Sequence, residues 1–146
     1  VPRIYCDANS NTIAYVIDGG GIGLNDYTRL PSGYTSMQAA YLAVIYSLNE
    51  FFLKWNKELD ARQYDGLGNE LTKVPIPSVH TKRPLPPPIL VCIGDEVVVK
   101  QLSRQYHIGN DKLRKLAQQA WKMTENLDVK YMWVSHSENL ARKILK

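Results

Sequence analysis

Two aspartates stand where short apolar runs stop: Asp7 closes Arg3-Ile4-Tyr5-Cys6, and Asp95 follows Ile89 to Ile93 and Gly94. Strand ends of an open α/β sheet commonly hold ligand sites. If the two runs are parallel neighbouring strands, their carboxylates converge, and convergent carboxylates repel unless a cation lies between them. Such a pair suits a hard divalent ion, Mg2+ or Mn2+, which prefers oxygen ligands. Taken singly, a strand-end aspartate also serves as a turn former or helix cap. The arrangement carries the inference, not either residue.

Positioning these acids takes a sheet. Arg3 to Asp7 reads as a first strand, followed by the turn formers Ala8-Asn9-Ser10-Asn11. Thr12 to Ile17 forms a second and stops at the hairpin dipeptide Asp18-Gly19, and a third follows from about Gly21 to Leu30. The glycines at 19, 20, 21 and 23 are not a phosphate-cradling loop, because such a loop opens into a helix and Leu24 to Leu30 lacks a helical pattern. From Thr35 the period changes: Met37, Ala40, Tyr41, Val44, Leu48, Phe51 and Trp55 predict an amphipathic helix over about 36 to 58, capped by Thr35 or Ser36.

Residues 60 to 88 lose this period and gather Gly66, Gly68 and six prolines, which marks a Pro-rich insertion or loop inside one domain spanning 1–146. Ile89 to Ile93 has the continuous apolar character of a strand covered on both faces. Helices are expected from Glu96 to about Gln105 and from the N-cap Asn110 through Ala120, a last strand over Val129 to Val134, and a terminal helix over Glu138 to Leu145. The expected order is β-β-β-α-β-α-α-β-α.

Composition agrees with one compact unit: 146 residues, 45% hydrophobic. No apolar run reaches the roughly 20 residues of a membrane span, and the N-terminus lacks the layout of a signal peptide, so a cytoplasmic protein without a membrane partner is expected. Cys6 and Cys92 each sit in an apolar run and are expected as buried, reduced thiols. The net charge of +4 is uneven: residues 1 to 95 hold 8 basic and 9 acidic side chains, residues 96 to 146 hold 10 and 5. A basic final third fits a polyanionic partner and fits a solvated helix surface equally well.

On these residues the chain resembles the ribonuclease H family, in particular its compact type 1 members. The resemblance rests on Ile4-Tyr5-Cys6-Asp7-Ala8-Asn9, on Thr35 to Leu48, on Gly94-Asp95 with Val98 to Leu102, and on Trp133-Val134 with Glu138 to Ala141. It implies an α/β ribonuclease H-like fold whose five-stranded mixed sheet, three antiparallel strands then two parallel, is flanked by helices. It further implies a metal-dependent endonuclease that hydrolyses the RNA strand of RNA/DNA hybrids, acting as a monomer with two Mg2+ or Mn2+ ions held by four carboxylates.

Carried over by position, Asp7 and Asp95 are metal ligands and catalytic residues. The helix glutamate falls at Ala40, which offers no oxygen, so the hydrolysis is expected to be impaired. The fourth carboxylate of the family's Asn-x-x-Ala-Asp pattern meets Asn139-Leu140-Ala141-Arg142, shortened and ending in a cation. Glu138 is a candidate substitute, or else a plain helix-start acid. His136 corresponds to a mobile loop residue that assists product release or proton transfer, or is simply solvated. Hybrid contacts are expected at Asn9, Thr35, Ser36, Met37 and Gln38, with discrimination through 2'-hydroxyls and duplex shape. The alternative reading, from a different class, is a noncatalytic hybrid-binding or interaction module that keeps the fold.

Overall fold

The computed structural model describes residues 1–9, 11–19, 22–64 and 86–145. A sheet of five strands runs through it: β1 (Arg3–Ala8), β2 (Thr12–Gly19), β3 (Ile22–Arg29), β4 (Ile89–Ile93) and β5 (Val129–Trp133), in spatial order β3-β2-β1-β4-β5. β1 to β3 form an antiparallel meander, and β4 and β5 add in parallel on the other side of β1. Three antiparallel strands followed by two parallel ones is the expected sheet. Asp18-Gly19 closes β2 as read, with Gly19 at φ +101°, a left-handed conformation that disfavours a Cβ.

Helix α1 (Ser36–Tyr64) begins with a reciprocal capping box. Gln38 N–H donates to Thr35 Oγ1 at 3.1 Å and Thr35 N–H donates to Gln38 Oε1 at 2.9 Å, so two orphan donors of the first turn are satisfied. Its apolar stripe, Ala40, Tyr41, Val44, Leu48 and Phe51, is buried against β1 and β2, and the helix α3 (Asp111–Met123) packs beside it. The helix continues past the expected stop near residue 58. Most of the Pro-rich insertion expected over 60 to 88 lies outside the described residues.

Helix α2 (Glu96–Leu102) stops three residues before the expected Gln105. Gln105 N–H donates to Lys100 O and Arg104 N–H to Gln101 O, the paired bonds of a Schellman cap, with Arg104 at φ +62° in the position usually given to glycine. The Arg104 guanidinium stacks 4.0 Å over the Trp121 ring, which offsets part of the left-handed backbone cost. Helix α3 (Asp111–Met123) starts as read, with Asn110 Oδ1 accepting from Leu113 N–H. Where a terminal helix over Glu138 to Leu145 was expected, the chain forms only a short 3-10 turn, Leu140–Lys143, packed on β1 and β2. Asn139 caps this turn and so excludes Glu138 from it.

Cys6 and Cys92 are free and buried, as expected. Burial pushes the Cys6 thiol up to about 12, against a hydrogen bond with Ser47 that pulls it down. A second buried contact, Tyr41 Oη–H donating to Gln101 Oε1 at 2.7 Å, ties α1 to α2. Among the described residues no helix is long and apolar enough to cross a membrane.

Candidate functional site

The parallel register of β1 and β4 pairs Cys6 with Ile93, and Gly94 N–H still donates to Cys6 O at 3.2 Å. The next residues of each strand, Asp7 and Gly94-Asp95, therefore emerge side by side. They wall an open cleft of about 280 Å³ together with Ala8, Ser36, Ala40, Glu96 and His136. Asp7 and Asp95, read as strand-end acids, thus meet in one place with Ala40 and His136, the positions to which the resemblance pointed.

Asp7 is 5% exposed, so its carboxylate depends on protein partners. Its Oδ1 accepts from Ala8 N–H at 2.8 Å, and its Oδ2 lies 3.2 Å from His136 Nδ1 and 3.7 Å from Arg142 Nη1. Gly94 is required beside it: a Cβ there would stand 2.9 Å from Asp7 Oδ1. Asp95 caps α2, its Oδ1 accepting from Val97 N–H at 3.0 Å and Val98 N–H at 3.2 Å. Turn chemistry and cleft placement coincide in this residue.

The turn that carries Arg142 is fastened from below. Asn139, 0% exposed, donates from Nδ2 to Cys6 O at 2.8 Å and accepts at Oδ1 from Ala141 N–H at 3.0 Å. The amide therefore joins the C-terminal turn to the strand that bears Asp7.

The remaining candidates divide. Ser36 lines the cleft. Thr35 and Gln38 spend their side chains on the capping box, Met37 packs against the core, and Asn9 Oδ1 accepts from Asn11 and Thr12 N–H in the turn after β1. Glu138 is exposed and is not among the residues that wall the cleft. Three participants escaped the sequence reading: Glu96 on the cleft wall, Gly94 as the gap that admits the Asp7 carboxylate, and Arg142 as a cation against Asp7. Two of them had a legible signal: Glu96 stands directly after Asp95, and Arg142 ends the shortened Asn-x-x-Ala-Asp pattern in a cation.

A pair of divalent ions needs several free carboxylate oxygens at once. Here Ala40 supplies none, Asp7 Oδ2 already faces Arg142 and His136, and one oxygen of Asp95 is engaged by two helix N–H groups. Among the described residues no group of three or more His, Cys, Asp or Glu side chains is disposed to hold a metal ion. The residues present do not fit the two-ion set.

No family profile matches the sequence, and no curated protein does. Solved structures do. LC11-RNase H1, isolated from compost by a metagenomic approach and solved in complex with an RNA/DNA hybrid, superposes with a TM-score of 0.66 at 15% identity, over 96% of this chain and 89% of that one. RNase H1 from the halophilic archaeon Halobacterium salinarum gives 0.65 at 16% identity, over 98% and 92%. The N-terminal RNase H domain of a Mycobacterium tuberculosis protein gives 0.61 at 18% identity, over 94% and 84%. By these likenesses and its sheet order, the chain has a ribonuclease H-like fold.

Proposed function

We propose that this domain binds RNA/DNA hybrids across the cleft at the ends of β1 and β4, and that two-metal hydrolysis of the RNA strand is disabled in it. The observation that carries this reading is the placement of Ala40. Ala40 stands on the wall of the cleft that holds Asp7 and Asp95, at the position where the family resemblance implies a carboxylate. A hybrid-bound neighbour of the same fold and the basic final third of the chain support the binding half.

The test is binding and cleavage together. Hybrid, duplex DNA and duplex RNA of one sequence are titrated across a salt series, and hybrid cleavage is followed in Mg2+ and in Mn2+. The expected result is salt-sensitive binding that favours the hybrid, with no cleavage. Binding no tighter to hybrid than to duplex DNA overturns the proposal. The second reading is a weakened nuclease using one ion between Asp7 and Asp95, favoured by Glu96 on the same cleft wall. Slow cleavage by the unaltered chain that is abolished by Asp7→Asn establishes that reading instead.

A further inference from the structure

The family's fourth carboxylate would follow the alanine of the Asn-x-x-Ala-Asp pattern, and here Ala141 is followed by Arg142. The structure brings this arginine to the site: Nη1 lies 3.7 Å from Asp7 Oδ2, on a turn that Asn139 fastens to the Cys6 carbonyl. Relative to a four-carboxylate cleft, the chain lacks an anion at Ala40 and has a cation at Arg142. Both changes move the cleft charge in the same direction, and together they reduce the negative charge that divalent ions would neutralise. An ion approaching Asp7 Oδ2 would have to displace a guanidinium and would find no further oxygen at Ala40.

We infer that Arg142 is a built-in cation that takes the place of a divalent ion at Asp7 and offers its guanidinium to a backbone phosphate of a bound duplex. The arginine side chain is 46% exposed, against 5% for Asp7. A guanidinium has five donors in a planar fork, and its ion pair with Asp7 at 3.7 Å leaves them available for a second anion. The phosphate half of the inference rests on the hybrid-binding reading above. The ion-replacement half stands on the Asp7 geometry alone.

The test has two arms on the full chain, with each variant checked for native unfolding behaviour. In the first, Mn2+ binding is read by electron paramagnetic resonance for the unaltered chain, Ala40→Glu, Arg142→Asp and the double variant. Ala40→Glu alone is expected to leave binding weak, because Arg142 still covers Asp7, while the double variant gains at least about tenfold in affinity. Tight, saturable Mn2+ binding by the unaltered chain, or full gain from Ala40→Glu alone, overturns ion replacement.

In the second arm, hybrid affinity is measured in EDTA and in Mg2+. The unaltered chain is expected to bind equally in both. Arg142→Gln should lose about five- to tenfold and lower the salt slope by about one, while Arg142→Lys keeps part of the affinity. Unchanged affinity and slope in Arg142→Gln overturn the phosphate contact. A chain with no preference for hybrid overturns the proposed function and the phosphate contact with it, and the Mn2+ arm then decides ion replacement independently.

Discussion

Replacing Asn139 by alanine tests whether the C-terminal turn is part of the site or an appendage. The side chain is fully buried, with Nδ2 donating to Cys6 O at 2.8 Å and Oδ1 accepting from Ala141 N–H at 3.0 Å. Truncation affects the two partners unequally. Cys6 O retains the Gly94 N–H at 3.2 Å, whereas the N–H of the buried Ala141 loses its acceptor. A buried donor left without a partner costs about 1–3 kcal/mol, and the space vacated by the amide adds roughly 1 kcal/mol more. The expected loss is about 2–4 kcal/mol, which for a domain of this size lowers the melting temperature by roughly 5–15 °C. Urea unfolding followed by circular dichroism measures it, and amide exchange locates it. Asn139→Asp separates the two bonds, since it keeps the acceptor for Ala141 but sets a carboxylate against the Cys6 carbonyl and close to Asp7. It should be at least as destabilising as alanine. If Asn139→Ala unfolds within about 1 kcal/mol of the unaltered chain and Ala141 stays protected from exchange, the turn does not depend on this amide and the reasoning fails.

The other predictions concern the end of α2 and the buried thiol. At Arg104, φ +62° favours glycine while the Trp121 contact favours arginine, so Arg104→Gly should unfold about 1 kcal/mol above Arg104→Ala; equal stabilities would mean that the backbone conformation costs nothing there. Burial holds the Cys6 thiol up at about 12, so the unfolded chain releases this proton first, from about pH 8.5, while the folded chain retains it. Its contribution is whole below that range and is lost as pH rises through about 12. Cys6→Ala should therefore make the alkaline fall in stability shallower, by up to about 1.4 kcal/mol per pH unit. Parallel curves for the two proteins would show that other groups govern the alkaline limb, Tyr15 being the first candidate because burial raises it to about 12 as well.

The strands were legible because each has a local signature: the Asp18-Gly19 hairpin, the continuous apolar run Ile89 to Ile93, and the acids that close β1 and precede α2. The start of α1 was legible for the same reason, since Thr35 stands as a capping residue where the helical period begins, although its box partner Gln38 was read as a hybrid contact. The end of α2 was not, because its left-handed cap carries an arginine whose compensating partner, Trp121, lies 17 positions further on. The terminal helix was overestimated because Asn139 reads as an ordinary polar residue until Cys6 O is placed beneath it. Ala40 could be found as a vacancy only through a family pattern, and composition alone gives no reason to expect an acid there. Arg142 could be seen as a mismatch in sequence, but its approach to Asp7 depends on a turn shaped by contacts across the sheet.

The strand order also dictates how the cleft comes into being. β1 is the central strand, and its antiparallel neighbour β2 follows after only a short turn, so that pairing closes a small loop. Its parallel neighbour β4 arrives roughly 80 residues later, across α1 and the Pro-rich segment, and long-range parallel pairings of this kind form slowly. During biosynthesis β1 to β3 are made well before β4, and until β4 follows, that edge of β1 lacks its native partner, a row of amides able to recruit a wrong strand. Asp7 waits on that edge until β4 docks. The rate of refolding, more than any equilibrium contact, should thus report on when the two aspartates first become neighbours.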